Sequence, residues 1–176
     1  LDDTMTYSSA LFSDHANPDL AQWPDLAKAQ RAKNQRMIRS LEVQAGDHIL
    51  EIGCGWGGFA EQATTLGARV TGLTLSPAQQ EFARNRARSG HWDDCAEFFL
   101  TDYRDMTGQY DHIVSVEMFE AVGERWWPTY FRTLQRLLKP GGTALIQVIT
   151  IDDQLFPQYR KGTDFIQRHV FPGGML

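Results

Sequence analysis

An apolar run, His48-Ile49-Leu50, leads directly into Glu51-Ile52-Gly53-Cys54-Gly55-Trp56-Gly57-Gly58. No other stretch of the chain limits its fold so narrowly. A buried strand closes on an acidic residue and enters a turn with four glycines in six positions. The helical pattern Phe59-Ala60-Glu61-Gln62-Ala63 follows at once. Glycine tolerates the backbone of tight turns and lets a ligand approach with no Cβ in the way. Strand, glycine turn and helix start in that order suit an adenosine-containing cofactor lying against the helix start.

Two cofactors compete for such a loop. Gly53, Gly55 and Gly58 satisfy the dinucleotide pattern G-x-G-x-x-G, a weak signal alone. The dinucleotide reading also wants an acidic residue at the end of the second strand. That strand, Arg69-Val70-Thr71-Gly72-Leu73, runs into Thr74-Leu75-Ser76-Pro77 and has no carboxylate there. Glu51 instead lies two residues before the first glycine. The arrangement resembles the first motif of Rossmann-like S-adenosylmethionine (SAM) methyltransferases. SAM has no pyrophosphate for the helix dipole, but its ammonium group suits an acidic strand end.

Apolar runs predict five strands, His48–Ile52, Arg69–Leu73, Glu97–Leu100, His112–Val116 and Thr143–Ile149. Helical patterns alternate with them over Gly58–Leu66, Pro77–Ser89 and Arg125–Leu138. Ser76-Pro77 reads as a cap followed by proline at the first helical position. Leu138-Lys139-Pro140-Gly141-Gly142 reads as a helix stop. Continuous apolar strands alternating with helices predict an α/β fold, a doubly wound, mostly parallel sheet covered on both faces. An earlier helix spans about Pro24–Leu41, with Trp23, Leu26, Met37, Ile38 and Leu41 on one side. Lys28, Arg31, Arg36 and Arg39 fall opposite, a solvated basic face or a surface for anionic lipid headgroups.

The 176 residues suit one domain, and a net charge of −5 argues against a nucleic-acid partner. No run of 18 apolar residues occurs. Cys54 and Cys95 read as free thiols of a reducing cytoplasm, and no Cys/His cluster has metal spacing. We read the chain as a piece of a longer protein in three parts. Residues 1–45 are expected to cap the cofactor site, 46–150 to form the SAM-binding core, and 151–176 to begin a substrate region, a lipid one by the resemblance that follows.

A narrower resemblance rests on Thr6-Tyr7-Ser8-Ser9, the Glu51–Gly58 loop, Gly72–Ser76, Asp102-Tyr103-Arg104-Asp105, Glu117–Gly123 and Phe171-Pro172-Gly173-Gly174. Together these resemble the cyclopropane fatty acid synthase family, which includes the mycolic acid methyltransferases, and lie nearer its plant-type branch. The resemblance implies a class I Rossmann-like methyltransferase fold, truncated here after about five of seven strands. It implies that SAM donates a methyl to a cis double bond of an unsaturated phospholipid acyl chain, and that bound bicarbonate then removes a proton as a cyclopropane closes. It also implies peripheral contact with the inner membrane face, a cytoplasmic location, and allows a homodimer.

By the same resemblance Tyr7, Ser8, Glu51, Gly53, Cys54 and Gly55 surround the amino acid end of the cofactor. Thr74, Leu75 and Gln79 lie near its ribose and adenine, and Asp102, Tyr103 and Arg104 near the adenine. Packing under a loop is an equal reading for Tyr103, and a turn carboxylate an alternative for Asp102. Glu120 matches the glutamate that helps hold bicarbonate. Many members follow it with histidine, where this chain has Ala121. Many place a further histidine where Gln147 stands, and cysteine where Ser9 stands. Serine and glutamine can donate hydrogen bonds to an anion but cannot carry its proton. The cation formed by methyl transfer then has other exits, to methyl-branched or methylene products. Phe119, Trp126, Trp127, Tyr130 and Phe131 form an aromatic set with core spacing, and Phe165, Ile166 and Phe171 are expected at the substrate crevice. A small-molecule N- or O-methyltransferase and a module that only binds SAM or lipid are the competing readings.

Overall fold

The computed structural model describes residues 2–12 and 26–162. Trp23, Phe165, Ile166 and the Phe171–Gly174 motif lie outside them. Strand β1 (His48–Ile52) is buried on both faces from Ile49 onward, and this sets the layering. Ile49 and Leu50 are both fully buried, yet they enter different clusters because successive side chains point to opposite faces. Ile49 packs with Val70, Val114, Phe59, Ala63, Met37 and Ile38. Leu50 and Ile52 pack with Leu73, Ile113, Tyr130, Leu134 and Leu137.

The sheet joins β1 to β2 (Arg69–Thr74), β3 (Ala96–Leu100), β4 (Tyr110–Val116) and β5 (Leu138–Gln147). All pairs are parallel, in the order β3-β2-β1-β4-β5. Helices α1 (Leu26–Ser40), α2 (Gly58–Thr64) and α3 (Pro77–Ser89) contribute residues to the first cluster. Helix α4 (Trp127–Leu137) contributes Tyr130, Leu134 and Leu137 to the second. The strand order reverses between β1 and β4, so the crevice of such a fold opens at their carboxyl ends. Those ends release Gly53 and Glu117, adjacent because Ile52 pairs with Ser115.

Local chemistry explains most element boundaries. Ser76 caps α3, its hydroxyl accepting from the Gln79 amide at 3.3 Å, with Pro77 in the first turn. Gly72 is obligatory for packing: a Cβ there would lie 2.7 Å from Phe98 Cδ1 and 2.9 Å from Cys54 Cβ. Leu137 is fully buried against β4 and β5. Leu137→Ala is expected to lower unfolding free energy by about 2–5 kcal/mol, read from the urea midpoint at unchanged m-value.

Three expectations are corrected. The Pro140-Gly141-Gly142 stretch is not a loop between helix and strand. Helix α4 stops at Leu137, Leu138 already pairs with Tyr110, and the chain bulges before re-entering the ladder with Thr143 opposite His112. β5 also ends at Gln147, not Ile149, because the Ile149 amide donates to the Glu120 carboxylate at 2.6 Å. Leu26 does not join the buried face of α1. It sits in the first turn, 41% exposed, while that face carries Ala27, Ala29, Gln30, Lys33, Asn34, Met37 and Ile38. Lys28, Arg31, Arg36 and Arg39 are exposed. No helix among the described residues is long and apolar enough to cross a membrane.

Candidate cofactor and proton-acceptor site

The glycine loop is pinned at its start. The Gly53 and Cys54 amides both donate to the Leu73 carbonyl, at 3.0 and 2.8 Å. Gly53 and Gly55 take φ of 83° and 51°, a region that favours glycine. A Cβ on Gly55 would come 3.3 Å from the Tyr7 ring, so residues 7–9 cross directly over the loop. Helix α1 holds this segment: Gln30 Nε2 donates to the Ser8 carbonyl at 2.7 Å, and Lys33 Nζ donates to Ser8 Oγ. At the other side Gln79 Nε2 donates to the Tyr7 hydroxyl at 3.3 Å, while Thr74 Oγ1 donates to Gln79 Oε1 at 2.7 Å.

Two cavities meet at Gly53. One, about 50 Å³, is lined by Tyr7, Ser8, Glu51, Gly53, Cys54 and Gly55, with Lys33 and Asn34 from α1. The other, about 420 Å³, is lined by Thr74, Leu75, Gln79, Asp102, Tyr103 and Arg104, with Met118, Val122 and Trp126. The structure thus places every cofactor residue expected from sequence on one cavity or the other.

Glu51 is buried, and its Oε2 has no hydrogen-bond partner among the described residues. Burial pushes its carboxyl well above the usual range, opposed by the charge of Lys33. An orphaned carboxylate oxygen at the wall of a small cavity is a fitting partner for an ammonium group. Cys54 is a poor nucleophile, since burial and then Glu51 push its thiol up. Asp102 is held by Arg104, which donates Nε to Oδ1 at 2.9 Å and Nη2 to Oδ2 at 2.7 Å. That bonding holds the Asp102 carboxyl below its usual range while the residue stays on the wall of the larger cavity. Tyr103 packs edge-on against Tyr130, ring centroids 5.5 Å apart. Of the aromatic set, Tyr130 is core, Phe119 stacks on Trp127 at 5.5 Å, and Phe131 is half-exposed.

The acceptor side is arranged differently from expectation. Ser9 and Gln147 do meet, Gln147 Nε2 donating to Ser9 Oγ at 3.0 Å. A third residue, Glu117, unites them. Its Oε1 accepts from the Ser9 amide at 2.8 Å, the Ser9 hydroxyl at 2.5 Å and Gln147 Nε2 at 2.8 Å. Glu117 has φ of 47°, and its own amide donates to the Gln147 carbonyl at 2.8 Å. The donors expected to hold bicarbonate are therefore engaged by a carboxylate of the chain itself and, as arranged, do not fit a separate anion. Glu120 stands apart from that set: it is buried, takes the Ile149 amide on Oε1, and has an Oε2 with no partner among the described residues.

Sequence reasoning missed Glu117 and Lys33. Glu117 stood inside a quoted motif, immediately after a strand end, where this fold places functional side chains. Lys33 stood three and four residues from Gln30 and Met37, a lysine on the buried stripe of α1.

Strand order, glycine loop and crevice define the Rossmann-like fold of class I methyltransferases. The match is close to a crystal structure of the Mycobacterium tuberculosis cyclopropane synthase MmaA2, with a TM-score of 0.83, 29% identity, and coverage of 99% of this chain and 62% of that one. The crystal structure of the mycolic acid cyclopropane synthase CmaA1, complexed with SAH and CTAB, gives a TM-score of 0.83 at 29% identity, covering 100% of this chain and 63% of that one. The chain belongs to the mycolic acid cyclopropane synthetase family, whose model matches residues 1–176. It is 46% identical over 176 residues to the tuberculostearic acid methyltransferase UfaA1 of M. tuberculosis. It is 37% identical over 182 aligned positions to the cyclopropane-fatty-acyl-phospholipid synthase of Escherichia coli. Each match takes in all of this chain but only 41% and 42% of those relatives.

Proposed function

We propose that the protein transfers a methyl group from SAM to the cis double bond of an unsaturated phospholipid acyl chain. The observation that carries this reading is Glu117, a carboxylate fixed by Ser9 and Gln147 and set between Val116, which lines the smaller cavity, and Met118, which lines the larger. When bound, SAM supplies an electrophilic methyl carbon. The alkene is a weak nucleophile and cannot be improved by deprotonation, so the protein's contribution is alignment and exclusion of water. Ile52, Leu73, Met118, Val122 and Trp126 give the larger cavity an apolar wall suited to that. Aromatic faces such as Trp126 can also stabilise a passing carbocation.

With SAM held by the residues of the two cavities, the alkene π pair would form the new C–C bond as the C–S bond breaks toward sulfur, and a carbocation would remain on the acyl chain. Glu117 takes a proton on Oε2, which accepts from no protein group among the described residues. Loss of that proton from the added methyl with ring closure gives a cyclopropane. Loss from a carbon beside the cation gives a methyl-branched open-chain alkene, whereas a 1,2-hydride shift from the methyl-bearing carbon to the cation, followed by loss from the methyl, gives an exomethylene product. An open-chain outcome is favoured by Glu117 in place of a histidine-held anion, and by the greater identity to the tuberculostearic acid methyltransferase than to the cyclopropane synthase. The exposed Lys28, Arg31, Arg36 and Arg39 of α1 support peripheral docking on anionic headgroups.

The test is lipid mass spectrometry with NMR on a host expressing the protein. Unsaturated chains that gain one CH2 are expected, with the added carbon as a branch or exomethylene. Cyclopropane protons would keep the methyl transfer and reassign the deprotonation. Unchanged lipids, together with methylation of a soluble amine or alcohol, would overturn the lipid reading.

A further inference from the structure

Among the described residues Lys33 is the one buried cation whose place the acyl-chain chemistry leaves unexplained. It lies on α1, 6% exposed, and lines the small cavity together with Glu51. Its hydrogen bond among the described residues goes to Ser8 Oγ, and no carboxylate there lies within salt-bridge distance of it. An ammonium carries three donors. A buried charge without an ion partner is costly, and a retained one marks a site where a counter-charge arrives.

Two carboxylates face it without touching it, Glu51 from β1 and Glu117 beyond β4, and their charges oppose the burial that lowers the Lys33 pKa to about 8. Glu117 already has three donors on one oxygen. Glu51 has an orphaned oxygen. Among the described residues the cavity is therefore lined by an ammonium with no ion partner and by a carboxyl with an unpartnered oxygen, which burial keeps protonated until a cation reaches it. An α-amino acid in its zwitterionic form carries the complementary pair at a fixed, short separation.

We propose that Lys33 anchors the carboxylate of the cofactor's amino acid end, opposite Glu51, which takes its ammonium. The assignment rests on the reading that this site holds SAM. It makes α1 part of the binding site, with Ser8 held by Lys33 as the cofactor's cover. The charge pair selects for the intact amino acid, so a nucleoside thioether without it gains nothing from Lys33.

Calorimetric titration of the purified protein with S-adenosylhomocysteine and with 5′-methylthioadenosine, which lacks the amino acid end, tests this. Lys33→Met is expected to weaken S-adenosylhomocysteine about 10- to 100-fold. Methylthioadenosine should change less than about 2-fold, within context scatter, and Lys33→Arg should restore most of the lost affinity. Wild-type affinity for S-adenosylhomocysteine should fall as pH rises through about 8, where the lysine loses its charge, and Lys33→Met should lack that component. Glu51 and Glu117, the charges facing Lys33, stay in both proteins, so the difference isolates the lysine. Equal loss for both ligands would make Lys33 a packing residue and overturn the assignment, as would no loss for either. Failure of the wild type to bind S-adenosylhomocysteine at all would overturn the cofactor reading itself.

Discussion

Glu117→Gln is expected to reduce turnover on unsaturated phospholipid by about 10²- to 10⁴-fold, the usual span for losing a general base. Glutamine keeps the length of the side chain and an oxygen for the Ser9 amide, so SAM binding and thermal stability should change little. What it removes is the proton-accepting oxygen. Glu117→Gly should be equally inactive, yet it relieves a backbone held at φ 47°, and it empties the space between Ser9 and Gln147. Added formate or bicarbonate should then recover part of the activity, because the same donors can seat a small carboxylate. Product analysis by mass spectrometry is the readout. Full activity of Glu117→Gln would show that the proton leaves elsewhere, with Glu120 and its unpartnered Oε2 the next group to test.

The second large effect concerns Glu51, and here binding and stability should move in opposite directions. Glu51→Gln is expected to weaken SAM by about 30- to 1,000-fold, as expected when one member of a buried charge pair is removed. The unliganded variant should nevertheless melt higher than wild type. The native carboxyl is buried with an orphaned oxygen, and burial raises its pKa. The folded state therefore holds a proton that the unfolded chain has released above about pH 4.3. Stability of the unliganded protein falls as pH rises from there toward the folded pKa. Glutamine removes that slope. Calorimetric melting across pH 4–8, with and without S-adenosylhomocysteine, separates the two effects. A variant less stable than wild type at every pH would mean that Glu51 has partners essential to the fold.

The sequence was legible where chemistry is local. The glycine loop, the Ser76-Pro77 cap and the alternation of strands with helices are written in neighbouring residues, and they carried fold and topology class. Ser9 and Gln147 were legible as a pair through the family resemblance. The Glu117 contact was not, because it depends on the register of β4 against β5, with Val116 opposite Gln147. No short-range pattern encodes that register. Lys33 was hidden for a related reason. A 3.6-residue pattern marks a stripe, but a lysine on a stripe reads as solvated until the neighbouring segment is seen to close over it. The bulge at Pro140–Gly142 shows the reverse error, a strong local stop signal absorbed into a strand because Leu138 had already found Tyr110.

Ser9, Glu117 and Gln147 lie 108 and 138 residues apart along the chain, counted from Ser9, yet share one carboxylate oxygen. For anyone recombining members of this family, that makes the leading segment, the turn after the fourth strand and the end of the fifth a single heritable unit. A chimera that imports residues 46–150 from a histidine-bearing relative and keeps residues 1–45 would inherit the wrong hydrogen-bond partners for position 9, however well its sheet assembled. Crossovers that move all three together should keep the chemistry of one parent or the other, and sorting homologues by this trio should sort their products.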